Sequence, residues 1–252
     1  MVSGSAESMV PNSDQATKDE IKKYQQMVGS LMYLATHTRP DIAFACSVLS
    51  RFLGNPSQAH QKACLRVFQY LQGTIFLSII YSKKAGDTTL HGYCDSDFGA
   101  DIATRRSVSG MVFFLAGGVV SASSKRQPIV SLSTTEAEYY SYTQCIREAL
   151  WLRQILQQMS YSGSDLKSVK IYGDNQGSLA LGENPELHQR SKHIDIKHHF
   201  CRQHITKGDI DPWYVLTSEI VANGLTKPLS GPAFKSFIKL LNMETITLPI
   251  TS

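Results

Sequence analysis

No Cys-x-x-Cys pair occurs in this sequence; its five cysteines, at 46, 64, 94, 145 and 201, are scattered along 252 residues. An odd, irregular set argues against a disulfide framework or a zinc finger. It fits reduced thiols, as in a cytoplasmic or nuclear compartment. Long hydrophobic runs are absent as well. The longest, MVFFLAGGVV, covers about half of what a membrane span needs, so no transmembrane segment is expected. The opening MVSGSAESMVPNSDQ has neither a basic head nor an apolar core, and no secretory signal is expected from it. Charge of one sign is not in excess: 25 basic against 21 acidic residues leave +4 and a pI near 8.7. That balance permits nucleic-acid binding without requiring it. No internal repeat and no low-complexity tract is found.

What is present describes a soluble globular chain, 42% hydrophobic and 18% charged, long enough for one large domain or two small ones. Residues 1–20 are polar and read as a flexible leader. Apolar residues at helical spacing (Tyr24, Met27, Val28, Leu31, Leu34) open a stretch of three short helices, punctuated by Pro40 and Pro56. After residue 88 the period changes to two. LHGYCDS, SGMVFFLAGG and VVSASSKRQ predict an antiparallel meander with Gly-containing turns. A long helix follows over TEAEYYSYTQCIREALWLRQILQQM, with Tyr142, Cys145, Ala149, Leu152 and Leu156 on one face. Then come a strand ending at Asp174, a short helix over QGSLALG, a helix around HIDIKHHFCRQHITKG, a strand over DPWYVLTSE and a final helix. Two crossovers in such an order imply a mixed sheet with helices packed on it.

The segment GYCDSDFGAD sets Asp95, Asp97 and Asp101 within ten residues at the end of a half-buried strand. Like charges so close are tolerated when solvated in a polar loop or compensated by a cation. Two further acids fall at comparable places: Glu136 in the first turn of the long helix, and Asp174 at the end of the fourth strand. Strand ends are where open α/β sheets collect ligands. Each has a structural alternative. Glu136 follows Ser133 by three, as in a capping box, and Asp174 in GDNQGS is placed to cap the next helix.

Five motifs in order, GYCDSDFGAD, SLSTTEAEYYS, IYGDNQGSLAL, SKHIDIKHHF and VANGLTKPL, closely resemble the ribonuclease H domain of copia-type retrotransposon polyproteins. The stretch from YQQMVGSLMYLATHTRPDIAF to LQGT is similar to the segment joining their reverse transcriptase to that domain. The resemblance covers residues 21 to about 240. It implies an α/β, ribonuclease H-like mixed five-stranded sheet flanked by helices (86–240), preceded by a helical connection unit (21–85) and followed by a tail (241–252). It also implies hydrolysis of the RNA strand of RNA·DNA hybrids with two Mg²⁺ ions, or Mn²⁺ in their place. The partner would be the reverse transcriptase polymerase domain of the same polyprotein, in a cytoplasmic particle or the nucleus. Carried onto this chain, the ligands would be Asp95, Glu136 and Asp174, with the fourth in VANGLTK. There the family has the Asp of an A-D-x-x-T-K pattern and this sequence has Asn223. Asn keeps a coordinating oxygen and loses a charge, so weakened turnover is expected; a hybrid-binding module without nuclease activity is the alternative.

Other features carry less. Asp195 with His198 and His199 fits a helix-stabilising acid–His set better than a second metal site. YGDN at 172–175 is not read as a polymerase motif. The basic pairs Lys83/Lys84, Arg105/Arg106 and Lys125/Arg126 are candidates for phosphate contact. Trp151 and Trp213 sit in apolar patterns and are expected in the core.

Overall fold

The computed structural model describes residues 9–82, 88–159, 168–174 and 192–246, with the side chains of 191–196 and 198 outside that description. The expected helix over QGSLALG and the pair Lys83/Lys84 lie outside the described residues.

Helix α1 (Lys18–His37) starts at a capping box in which Thr17 accepts from the Glu20 amide while the Glu20 carboxylate accepts from the Thr17 amide. It buries Tyr24, Val28, Leu31 and Ala35, the face that the helical period marks. Helix α2 (Ala43–Leu49) lies between two 3₁₀ turns, and α3 (Gln58–Gln72) starts at a box built from Ser57 and His60. The three helices close around their own apolar cluster of Tyr24, Leu31, Leu49 and Cys64. A polar clamp fixes the exit: Arg39 donates through Nε and Nη2 to the two oxygens of Asp41, at 2.9 and 2.7 Å. Tyr70 donates to the same carboxylate.

The meander is β2 (His91–Asp97), β3 (Val108–Leu115) and β4 (Gly118–Arg126). Its β3–β4 turn is two residues, Ala116 and Gly117, both at positive φ, the form that matches strand twist. Helix α4 (Thr134–Gln158) crosses to β5 (Val169–Gly173), which runs parallel to β2, and β6 (Ile210–Tyr214) runs parallel to β5. Helix α5 (Lys192–Thr206) precedes β6. The strand order is β4-β3-β2-β5-β6, the mixed five-stranded sheet that the resemblance implies. On one face α4 seats Tyr139, Tyr142, Cys145, Ile146 and Ala149 against Cys94, Phe113 and Ile171. On the other, Val112 and Phe114 meet Val221, Leu225 and Phe237, the last from helix α6 (Gly231–Leu240).

Two differences from the sequence-based expectation stand out. Residues 241–252 are expected as a tail, yet Leu241 is buried and β7 (Met243–Thr245) pairs antiparallel with β1 (Leu77–Ile79). Three-residue strands carry too little pattern to be read from sequence. Trp151 and Trp213 are 54% and 47% exposed, not core. Trp213 lies under the Lys170 ammonium at 4.6 Å and donates to Asp211. Among the described residues no helix is long and apolar enough to cross a membrane.

The turn Val221–Leu225 presses on β3 at Gly110, where an added Cβ would lie 2.8 Å from the Ala222 carbonyl oxygen and 2.9 Å from the Leu225 Cβ. Gly110→Ala is therefore expected to lower stability by about 1–3 kcal/mol, the usual cost of overpacking. Thermal denaturation checks it, and an unchanged midpoint would mean that the turn is free to shift.

Candidate metal centre

Asp95 is the fifth residue of β2 and is 4% exposed. Its position is fixed twice: its backbone carbonyl accepts from Ser141 of α4 at 2.8 Å, and its carboxylate accepts the Thr226 hydroxyl proton. Asp174 directly follows β5, the parallel neighbour of β2. Glu138 projects from the second turn of α4. Carboxylate oxygens of Asp95, Glu138 and Asp174 lie within 4.8 Å of one another.

The third acid is thus Glu138, two residues beyond the one expected. Glu136 caps its own helix: Ser133 Oγ accepts from its amide at 3.1 Å, and its carboxylate accepts from the Leu132 amide at 2.7 Å. The reason is helical geometry, since positions two apart point about 200° apart around the axis. A signal for Glu138 was present. It precedes Tyr142, Cys145 and Ala149 by four, seven and eleven, and so falls on the row that packs against the sheet.

The other acids of GYCDSDFGAD separate. Asp97 stays half-buried beside Asp95. Asp101 turns away, bound by Thr104 and Arg126 with Arg51 at 3.6 Å. Asn223 sits on the turn Val221–Leu225, three residues before Thr226. Its Nδ2 donates to the Thr217 carbonyl at 2.7 Å, which fixes the amide orientation and leaves Oδ1 buried without a hydrogen-bond partner among the described residues. Of the basic residues, Arg105 and Lys125 are exposed and Arg106 is half-buried. His199 is exposed, while the side chains of Asp195 and His198 lie outside the described residues.

Electrostatics show what the site requires. Burial, then repulsion from Asp95 and Asp174, pushes the Glu138 carboxyl up to about 9. Burial also raises Asp95, against the Thr226 hydrogen bond and the nearby Lys227, which lower it. Asp97 is raised by burial as well. Carboxylates gathered and desolvated in this way favour either a proton or a cation. The donor set is oxygen alone, the chemistry that selects hard ions such as Mg²⁺ or Mn²⁺. Asn223 Oδ1 lies on the turn that leads to Thr226, the residue bonded to Asp95. The residues present therefore fit a divalent cation.

Comparison with known proteins places the chain. It is 38% identical over 222 residues to the retrovirus-related Pol polyprotein from transposon TNT 1-94 of Nicotiana tabacum, covering 88% of this chain and 16% of that protein. It is 37% identical over 224 residues to that from transposon RE1 of Arabidopsis thaliana, covering 89% and 15%. The chain belongs to the copia-type transposon Pol polyproteins. This Pol segment spans about one-sixth of the length of those relatives. No family model matches it. Among solved structures, ribonuclease H1 from the archaeon Halobacterium salinarum is similar at 18% identity and a TM-score of 0.39, over 55% of this chain and 94% of that one.

Glu138 predicts a pH dependence. Its carboxyl is raised in the folded state, so between the ordinary value near 4.5 and about 9 the folded Pol segment binds more protons than the unfolded chain. Its contribution to stability is thus present at low pH and lost as pH rises through that window. In EDTA the urea midpoint should fall from pH 5 to pH 9, and both Glu138→Gln and added Mg²⁺ should flatten the slope. A midpoint indifferent to Glu138→Gln would contradict this electrostatic account.

Proposed function

We propose that this chain is the ribonuclease H portion of a retrotransposon reverse transcriptase, hydrolysing the RNA strand of RNA·DNA hybrids with two Mg²⁺ ions. The observation that carries the reading is the convergence of Asp95, Glu138 and Asp174 within 4.8 Å at the ends of neighbouring parallel strands. Bound there, the ions would activate a water and neutralise the leaving 3′ oxygen. The protein's part is positional. Asp95, buried and held by Thr226, would hold the ions together with Glu138 and Asp174, and Asn223 Oδ1 would be the fourth ligand. Lys227, close enough to lower the Asp95, Asp97 and Glu138 carboxyls, tempers their repulsion. RNA would be told from DNA by contacts to its 2′-hydroxyls across the wide minor groove of the hybrid. Arg105, Arg106 and Lys125 are the phosphate contacts, and the polymerase domain of the same polyprotein is the partner. Arg126 is committed to Asp101.

Asn223 supports a second reading, a hybrid-binding module that retains the fold without cleavage, because a neutral fourth ligand holds one cation less strongly. One assay separates them: cleavage of a labelled hybrid in Mg²⁺ and in Mn²⁺. The enzyme reading expects RNA-strand cuts abolished by Asp95→Asn and by Glu138→Gln, retained by Glu136→Gln, and raised roughly tenfold or more by Asn223→Asp, equivalent to about 1.4 kcal/mol of barrier. Hybrid binding without cuts by any variant would favour the module. Loss of cleavage in Glu136→Gln at unchanged stability would return that residue to the site.

A further inference from the structure

Where the helical unit meets the sheet, two arginines share one carboxylate. Arg51, on the 3₁₀ turn Ser50–Phe52 after α2, lies 3.6 Å from Asp101 through Nη1, and Arg126 at the end of β4 donates to the other Asp101 oxygen. Thr104 Oγ1 donates to Asp101 as well, at 2.7 Å. The group carries one positive charge more than its negative charge. Arg51 is 14% exposed, and its Nε and Nη2 are buried with no hydrogen-bond partner among the described residues. Burying charged donors unpaired is costly, which is why such groups are normally satisfied.

Nε and Nη2 form the side-on fork of a guanidinium, the edge that matches two oxygens of one oxyanion. The same protein shows that edge in use, since Arg39 grips Asp41 through Nε and Nη2. Arg51 lines a cavity of about 770 Å³ between the helical unit and the loop 97–104; Asp97 and Thr226, which adjoin the acidic centre, line it too. Burial lowers the Arg51 pKa, Asp101 raises it again, and Arg126 lowers it further, so a second anion is favoured there.

We propose that the Arg51 fork binds a phosphate group entering this cavity, so that the helical unit contributes a ligand-binding residue beside the metal centre. The phosphate has two possible sources, a phosphodiester of the hybrid strand or a free phosphate group. Only the first rests on the ribonuclease H reading.

The test uses the full chain in EDTA, with Arg51→Met and Arg51→Lys. Millimolar inorganic phosphate, against chloride of matched ionic strength, should raise the melting temperature of the wild type, because an anion bound only by the folded state stabilises it. It should not raise that of Arg51→Met, and Arg51→Lys, which keeps the charge without the fork, should fall between. In phosphate-free buffer Arg51→Met should melt no lower than the wild type, since it removes unpaired buried donors; a merely structural arginine would give a drop. Hybrid affinity measured against salt should lose about one unit of slope in Arg51→Met if the phosphodiester is the source. A phosphate shift with the slope unchanged supports the site and assigns it to free phosphate. A wild type that binds no hybrid defeats the functional reading, while the phosphate shift still decides the site. No phosphate shift together with no slope change overturns the proposal.

Discussion

Three carboxylates held within 4.8 Å of one another, one of them 4% exposed, are the constraint around which this molecule is arranged. Left alone they repel, and desolvation makes the repulsion worse. Each comes from a different element, so the fold must resist three elements moving apart. Apolar packing opposes that motion: Cys94, Tyr142, Ile146 and Ile171 tie β2, α4 and β5 together directly below the acids. The Ser141 hydroxyl bonded to the Asp95 carbonyl adds a polar link between β2 and α4 at the level of the charges. An element order that looks generic is thereby specific in register, because slipping β2 by one residue would turn Asp95 to the other face of the sheet.

The carboxyl-terminal segment matters to the same centre. The turn Val221–Leu225 rests on Gly110 of β3, and Gly224 leaves room for the Phe237 ring of α6. That packing delivers Thr226 to Asp95 and sets Lys227 near three carboxyls. Residues 241–246, beyond α6, remain attached to the fold. Pairing of β7 with β1, and the Asn242 side chain donating to the carbonyls of Ile80 and Gly117, join this segment to the exit of the helical unit and to the β3–β4 turn. The helical unit has its own core, yet its α2 packs on β4 and its Arg51 reaches the loop after β2. Sheet, turn and helical unit thus share the surroundings of the acids.

Much of this was legible in the sequence because the elements are long and strongly patterned. The meander, the long helix and the strand ending at Asp174 are recovered within a few residues, as period-two and period-3.6 signals should allow. Asp174 was legible as the acid that directly follows its strand, whereas Asp95 was separated from Asp97 and Asp101 by the motif resemblance. Glu136 and Glu138 were not separated by motif resemblance, since both lie in one TTEAEYY stretch; the packing row through Tyr142 and Cys145 separates them, and it uses only the helical period. Trp151 and Trp213 mislead for a different reason. Apolar neighbours in sequence do not place a side chain inside when the element lies at an edge, as β6 does. β1 and β7 were beyond reach, being short and paired across about two-thirds of the chain.

Asn223 shows why the fourth position of the proposed centre cannot be judged by charge alone. Its Nδ2 hydrogen bond to the Thr217 carbonyl is a local fit that an aspartate cannot reproduce, because an oxygen there would face the carbonyl oxygen. That fit is worth about 1 kcal/mol. A unit charge acting at about 4 Å in an environment of effective dielectric near 20 is worth roughly 4 kcal/mol gross, and about twice that against a dication. With a cation in place, the charge outweighs the lost hydrogen bond. Without one, a fourth carboxylate would join three that the fold already holds together against their repulsion, and both terms would disfavour it. If the proposed centre takes up its cations, an asparagine at this turn would make the cation-free protein easier to fold and the cation-bound centre weaker, and both effects would come from the same missing charge.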